Sequence, residues 1–525
     1  MTTVAHDAPA RALVLDGPRG LRLQGGDMPV LNPGTCAFAR SSAESATAPS
    51  QVIRRRRAVK TRRVIATTLA AIAILAAGCG GGDEDEGGGG GGADQRGESI
   101  TAWTNEFQPD RVKKTKEILA EFTQKSGIKV KLVAVPEDQL STLITNASAA
   151  GKLPDVVMST PVAESHSYVA EEIFDAEAAQ KVVDRLGPDT FSDKALELVS
   201  RDGTATGVPS DGWGQLLIYR KDMFEKAGLS APRTLEDVRA AAEKLNKDGV
   251  AGITLATAPG DGFTHETFEH VGLANGCQLV GDGGEVTFDT PPCVEALRWY
   301  GDIASNFSVK GNQDVDSTRG TYFAGRAAMI MWSPFLLDGM AGLRDDTRPS
   351  CPECKKDPAF LAKKSGLVGP LSSEGTDPSQ FGSVSTFNIS VDANIEAAQK
   401  LVEFMMTDGY VRWLGLSPQG KFPVRLGDKA EPERFVEAWE GLESGVDRLA
   451  PLSKFYAADS IASLKEGVQS FQRWGFAQGQ GALVGALSGE QPIAEAVSKV
   501  INGADPAEAA KDAQATVEEI QAGLE

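Results

Sequence analysis

Histidine is scarce in this chain: there are four in 525 residues, and only His265 and His270 lie near one another. That argues against a His-rich metal site and against a Ser-His-Asp triad, and no Gly-x-Ser-x-Gly nucleophile turn occurs. Basic charge is in deficit, with 53 Lys+Arg against 72 Asp+Glu for a net of -19, which excludes a general nucleic-acid binder. A phosphate loop is also missing. Gly415-Leu416-Ser417-Pro418-Gln419-Gly420-Lys421 comes close, but Phe422 stands where a magnesium-binding hydroxyl is needed and the stretch follows a helix, so it reads as a helix exit. Aromatics are only 6% of the chain, so each well-placed ring is informative. The apolar stretch Val64 to Gly78 has fifteen residues, short of the roughly 20 needed to span a bilayer.

What is present begins with an uneven charge. Residues 1–78 hold eleven Lys/Arg and four Asp/Glu, leaving 42 basic and 68 acidic residues from Cys79 onward, a net of -26. Arg54 to Arg57, Lys60, Arg62 and Arg63 form a positive region before the apolar stretch, as in an export signal. The stretch ends in Leu75-Ala76-Ala77-Gly78-Cys79, which resembles a bacterial lipobox and implies cleavage before Cys79 and lipidation of its thiol. Residues 59–78 are therefore the expected signal peptide. The Gly-rich and acidic run 79–97 is the lipidated cysteine with a flexible tether. Residues 1–58 read as a non-native or disordered leader, with translation expected to start near Val59.

Apart from Cys36 and Cys79, four cysteines remain; an even number in an exported chain suggests pairing, and the expected pairs are Cys277–Cys293 and Cys351–Cys354, each closing a short Gly- or Pro-containing loop. A four-thiolate zinc site is the rival, weakened because only one close C-x-x-C pair exists. The body opens with strand, helix, strand, helix, strand: Ser99–Trp103, a helix from about Asp110 to Gly127, Ile128–Val135, Gln139–Ala150 and Asp155–Met158. In the first helix Val112, Thr115, Leu119 and Phe122 share one face. This alternation predicts a parallel sheet with covering helices. It restarts with Gly214–Tyr219, helices over Lys221–Gly228 and Thr234–Leu245, and apolar strands at Gly252–Leu255, Arg326–Met331 and Ser385–Ser390. From Ala393 the chain is largely helical.

Several segments stand out in order: Glu121-Phe122 through Val130, Ala150-Gly151-Lys152-Leu153-Pro154-Asp155-Val156-Val157, and Tyr219-Arg220-Lys221-Asp222 through Leu229 followed by Pro232-Arg233-Thr234. Phe323-Ala324-Gly325-Arg326-Ala327-Ala328-Met329 and the ending Gly503 to Ala510 complete the set. Together they resemble the carbohydrate-type family of bacterial extracellular solute-binding proteins of ABC importers. The resemblance spans about 99–525 and departs from the family at Arg220, where asparagine is usual. It implies an α/β, two-lobe periplasmic-binding-protein-like fold of type II, with discontinuous lobes, a hinge and a helical C-terminal part. The expected division is 98–210 with 335–383 as lobe 1, and 211–334 with 384–525 as lobe 2. The expected hinge points are Val208–Gln215, Ser333–Phe335 and Phe381–Val384.

The implied activity is non-enzymatic capture of a sugar or sugar-like solute by cleft closure, needing no cofactor or metal. The partners are permease subunits with a separate ATPase, and the protein is expected as a monomer held by its lipid on the outer face of the cell membrane. Ligand-binding candidates are Trp103, Asn105 and Glu106 at the end of the first strand, Ser159 and Thr160 at the end of the third, and Asp211 and Trp213 at the first crossing. Trp332 and Phe335 follow, one of them expected to stack on ligand, since the family's glycine-proline-tryptophan is replaced here by Ser333-Pro334-Phe335. Gly382, Ser383 and Arg425 close the set. Alternatives are a polyol phosphate, an amino compound or ferric ion as cargo, the last disfavoured by six scattered tyrosines, and a secreted carbohydrate-active enzyme.

Overall fold

The expected alternation folds into the larger of two main sheets in a computed structural model that describes residues 98–524. The leader, signal, Cys79 and tether lie outside the described residues. Strands β1 (Ser99–Thr104), β2 (Lys129–Ala134) and β3 (Val156–Pro161) pair in parallel, with β1 in the middle. The helix Pro109–Ser126 buries Thr115, Ile118, Leu119 and Phe122, and ends where Gly127 takes a φ of 78°. Only a residue without Cβ accepts that conformation at little cost. A short hairpin, β4 (Ser200–Arg201) and β5 (Thr204–Ala205), precedes β6 (Val208–Gly214).

After β6 the chain leaves this sheet. Strands β7 (Leu216–Arg220), β8 (Met329–Trp332) and β9 (Ser365–Val368) form a second, antiparallel sheet in the order β8-β7-β9. The predicted strand at 252–255 is reduced to parallel bridges, Ala251 to Ala327 and Thr254 to Ile330, along the β8 edge. Then β10 (Gly382–Ile389) returns to the first sheet, antiparallel to both β3 and β6, giving the order β2-β1-β3-β10-β6.

This topology corrects the expected division. β9 pairs with β7, so the part of 335–383 around it belongs with the second sheet. β10 and the helix Ile395–Met406 belong with the first; Phe404 of that helix packs on Phe122, ring centroids 5.5 Å apart. Ser333–Phe335 is no crossing, because the strands on either side of it, β8 and β9, share one sheet. The chain passes from one sheet to the other between β6 and β7 and between β9 and β10, next to the other two expected hinge points, and beyond Glu440 the backbone of 446–448 bonds the Leu343 carbonyl.

The sulfurs of Cys277 and Cys293 lie at disulfide distance, as do those of Cys351 and Cys354. The first pair ties the loop after the helix Gly262–Ala274 to the helix Pro291–Asn306. Closing a loop of that length stabilises by roughly 3 kcal/mol. Among the described residues no helix is long and apolar enough to cross a membrane.

Candidate binding site where the chain crosses between sheets

The ends of β1 and β3 and the crossing strand β6 bring Glu106, Ser159 and Asp211 together around a lysine from the 415–421 loop. Lys421 Nζ lies 2.6 Å from Glu106 Oε1 and 3.1 Å from Asp211 Oδ1, and is 4.5 Å from the centre of the Trp413 ring. Arg111 Nη1 reaches Glu106 Oε2 at 2.7 Å, and its Nη2 donates to Ser417 Oγ at 2.9 Å. The second Asp211 oxygen accepts from Trp413 Nε1 at 2.9 Å and from Ser210 Oγ at 2.7 Å. Two carboxylates thus meet two cations, with the Lys421 and Asp211 side chains each 1% exposed.

Burial alone would raise the Glu106 carboxyl, but Lys421 and then Arg111 outweigh it and hold the group down at about 2. Burial opposes the charge on Lys421, while Asp211 and Glu106 overcome that and push its ammonium up. The chemical consequence concerns Ser159. This non-glycine residue sits at φ 69°, a strained conformation, with its Oγ 3.3 Å from Glu106 Oε1 and 3.4 Å from Lys421 Nζ. A lysine kept protonated by two carboxylates cannot take the proton of that hydroxyl, so Lys421 acts here as a fixed donor and countercharge.

Beside this network stands a group of rings. Trp213 lies edge-on to Phe335 at 6.5 Å and tilted to Phe381 at 5.6 Å. Arg111 faces the Phe335 ring at 5.6 Å, and a Cβ on Gly420 would fall 2.4 Å from that ring, so only glycine fits there. The Arg473 guanidinium lies 4.6 Å from Phe381 and 5.6 Å from Phe476, and pairs with the fully buried Glu269 at 3.2 Å. Trp332 ends β8 and meets Phe263 at 5.9 Å.

The structure therefore gathers Glu106, Ser159, Asp211, Trp213 and Phe335 in one place. Gly382 and Ser383 adjoin it, paired with Gly214 and Trp213 across the strands. Asn105 lies between β1 and Glu106, and Thr160 is buried with its hydroxyl unpartnered among the described residues. Trp103 goes elsewhere: its ring packs in a smaller apolar cluster with Leu140, Ile144 and Tyr168, because residues alternate faces along β1. Arg425 is also apart, its guanidinium consumed by Thr190 Oγ1 and the Met406 and Leu186 carbonyls between the Phe191 and Phe435 rings. Arg111, Trp413, Lys421 and Arg473 were missed. A lysine after a glycine carries no sign in sequence that it will be buried between acids.

The description "bacterial extracellular solute-binding protein" fits residues 108–412, more than half of the chain. The chain belongs to that family. A putative ABC transporter periplasmic-binding protein, YcjN of Escherichia coli K12, is 29% identical over 339 residues, which cover 62% of this chain and 73% of the relative. Among solved structures, a solute-binding protein of Thermotoga lettingae bound to α-D-tagatose aligns with TM-score 0.62 at 20% identity, covering 81% of this chain and 99% of its own. Maltose-bound MalE3 of T. maritima aligns with TM-score 0.61 at 19% identity, covering 80% and 99%. A ribitol complex from Agrobacterium radiobacter K84 aligns at 0.58 and 17%, covering 81% and 98%. At these identities the likeness concerns the fold, which is the type II periplasmic-binding fold.

Proposed function

We propose that this member of the solute-binding family is the receptor of an ABC importer, capturing a sugar or sugar-like solute where its two sheets meet. The observation that carries the reading is the pairing of Trp213 and Phe335 faces with a fixed charge network at the crossing of the chain. Sugar C–H patches pack on rings and sugar hydroxyls need placed acceptors and donors, so rings beside ordered polar groups suit such a guest. Contact with both sheets at once favours a closed form. Membership of the family supports delivery to permease subunits powered by a separate ATPase. The lipobox-like Leu75 to Cys79 supports anchoring on the outer face of the membrane, and loss of detergent-phase partitioning in Cys79→Ser tests it.

A thermal-shift screen over sugars, polyols and their phosphates tests the capture. A guest at 100 times its Kd stabilises the fold by about 2.7 kcal/mol. Trp213→Ala is expected to weaken the best hit at least tenfold, or about 1.4 kcal/mol. Conversion of the hit into product, or affinity unchanged by that substitution, overturns the reading.

A further inference from the structure

We propose that the helix Gly481–Ala486, docked on the helix Val162–Ala170, is a clasp that shuts one flank of the site. The guest is then a short solute enclosed whole, a monosaccharide, disaccharide or polyol, and not a stretch of a longer chain. The inference deepens the capture reading above and rests on it.

The two helices belong to different sheets. Val162–Ala170 continues directly from β3 and is tied to β10, where Asn388 Nδ2 donates to Ser165 Oγ at 2.7 Å. Gly481–Ala486 is carried by the elements around the second sheet. Before it, Trp474 Nε1 donates to the Cys277 carbonyl at 2.8 Å, and the Trp474 backbone N–H to Glu269 Oε1 at 2.7 Å. After it, the helix Pro492–Ile501 lies so close to Pro291–Asn306 that a Cβ on Gly301 would fall 2.5 Å from Val500 Cγ1. Tyr300 of Pro291–Asn306 donates in turn to the Ala256 carbonyl at 2.7 Å, next to the segment bridged to the β8 edge.

Where the helices meet, glycine brings the backbones into contact. A Cβ on Gly481 would come 2.5 Å from His166 Nδ1, and one on Gly485 would come 2.2 Å from the Ala163 carbonyl oxygen and 2.9 Å from Ser167 Cβ. Gly481 and Gly485, four positions apart, share a helix face, as do Ala163 and Ser167 opposite them. A gap with no room for a methyl group has none for a guest. The contact adjoins the site, since Ala163 follows Ser159 by four residues. Packed side chains also lead to it from Trp213: Phe381, the Arg473 guanidinium, Phe476 and then His166, the last two rings edge-on at 5.1 Å.

The opposite flank is shut in the same way. Phe335, which follows β8 of the second sheet, presses on Gly420 and Arg111 of the first. With both flanks closed, the polar groups between them are covered: Glu106, Ser159, Asp211 and Ser383 are each at most 4% exposed. A chain of sugar units running out of the site would have to hold one of these contacts open and forfeit its close packing. A short guest lets both form. The discrimination comes from that penalty on the longer guest.

The test is titration calorimetry of the protein with ribitol and with linear series from one to six units: glucose to maltohexaose, glucose to cellohexaose and xylose to xylohexaose. Binding is expected from ribitol or from members of one or two units, at least about tenfold tighter than from any hexamer. Gly485→Val holds the helices apart and is expected to narrow that ratio to about threefold or less, and to raise the radius of gyration in X-ray scattering. Gly481→Ala, a smaller intrusion, should narrow the ratio less, and Gly489→Ala, with no atom near its added Cβ, should leave it unchanged. A hexamer that binds as tightly as its dimer, or a ratio that neither Gly485→Val nor Gly481→Ala moves, overturns the clasp and leaves the capture reading standing. Binding by no member of any length sinks both.

Discussion

The buried lysine is the residue on which the crossing depends most. Removing one partner of a buried ion pair costs about 3–5 kcal/mol, because the charge left behind has neither water nor a counterion. Lys421→Met leaves Asp211 with hydrogen bonds alone and Glu106 with Arg111 and the Ser159 hydroxyl. The expected loss is therefore about 3–5 kcal/mol by urea unfolding, with part regained when Asp211→Asn is added. A loss under about 1 kcal/mol would mean that water already reaches these charges. Glu106 and Asp211 were legible in sequence, since acids flanking a strand end and a glycine-rich crossing suggest a site. Their cation was not, because Lys421 entered the reading only as the tail of a failed phosphate loop.

At the scale of elements, the strands and helices of 99–158 were legible because period and caps set them locally, as in the helix Pro109–Ser126 stopped by Gly127. Sheet membership was not. Neither β9 nor β10 carries a pattern that names its neighbour, and only their partners, β7 for one and β3 with β6 for the other, decide where each belongs. One contact between elements invites a direct test. The helix Gly481–Ala486 lies so close to the helix Val162–Ala170 that a Cβ on Gly485 would come 2.2 Å from the Ala163 carbonyl oxygen. Gly485→Val must push the two helices apart and is expected to cost about 1–3 kcal/mol, the usual range for overpacking. Gly489→Ala, where no atom lies within 4 Å of the added Cβ, is the neutral control. Equal melting temperatures for both variants would refute the tight contact.

For the whole molecule, acids on the helices Val162–Ala170 and Gly262–Ala274 link stability to pH. The Glu164 and Glu266 carboxyls are raised to about 7 and about 8, so the folded protein keeps protons that the unfolded chain has already released. Stability falls with pH wherever the native state binds more protons, here from the ordinary carboxylate range up through these raised values. Buried His166, His265 and His270, lowered by desolvation to about 4, about 3 and about 4, act the other way. They are neutral when folded and charge in the unfolded chain as pH drops below about 6.5, so they remove stability on the acid side. Between about pH 7 and 8 the histidines are mostly neutral in both states, and the glutamates outweigh their remaining opposition. The melting temperature of the guest-free protein is therefore expected to decline across that interval, and the Glu164→Gln, Glu266→Gln double variant to flatten the decline. An unaltered slope in the double variant would show that the two carboxyls ionise as freely folded as unfolded.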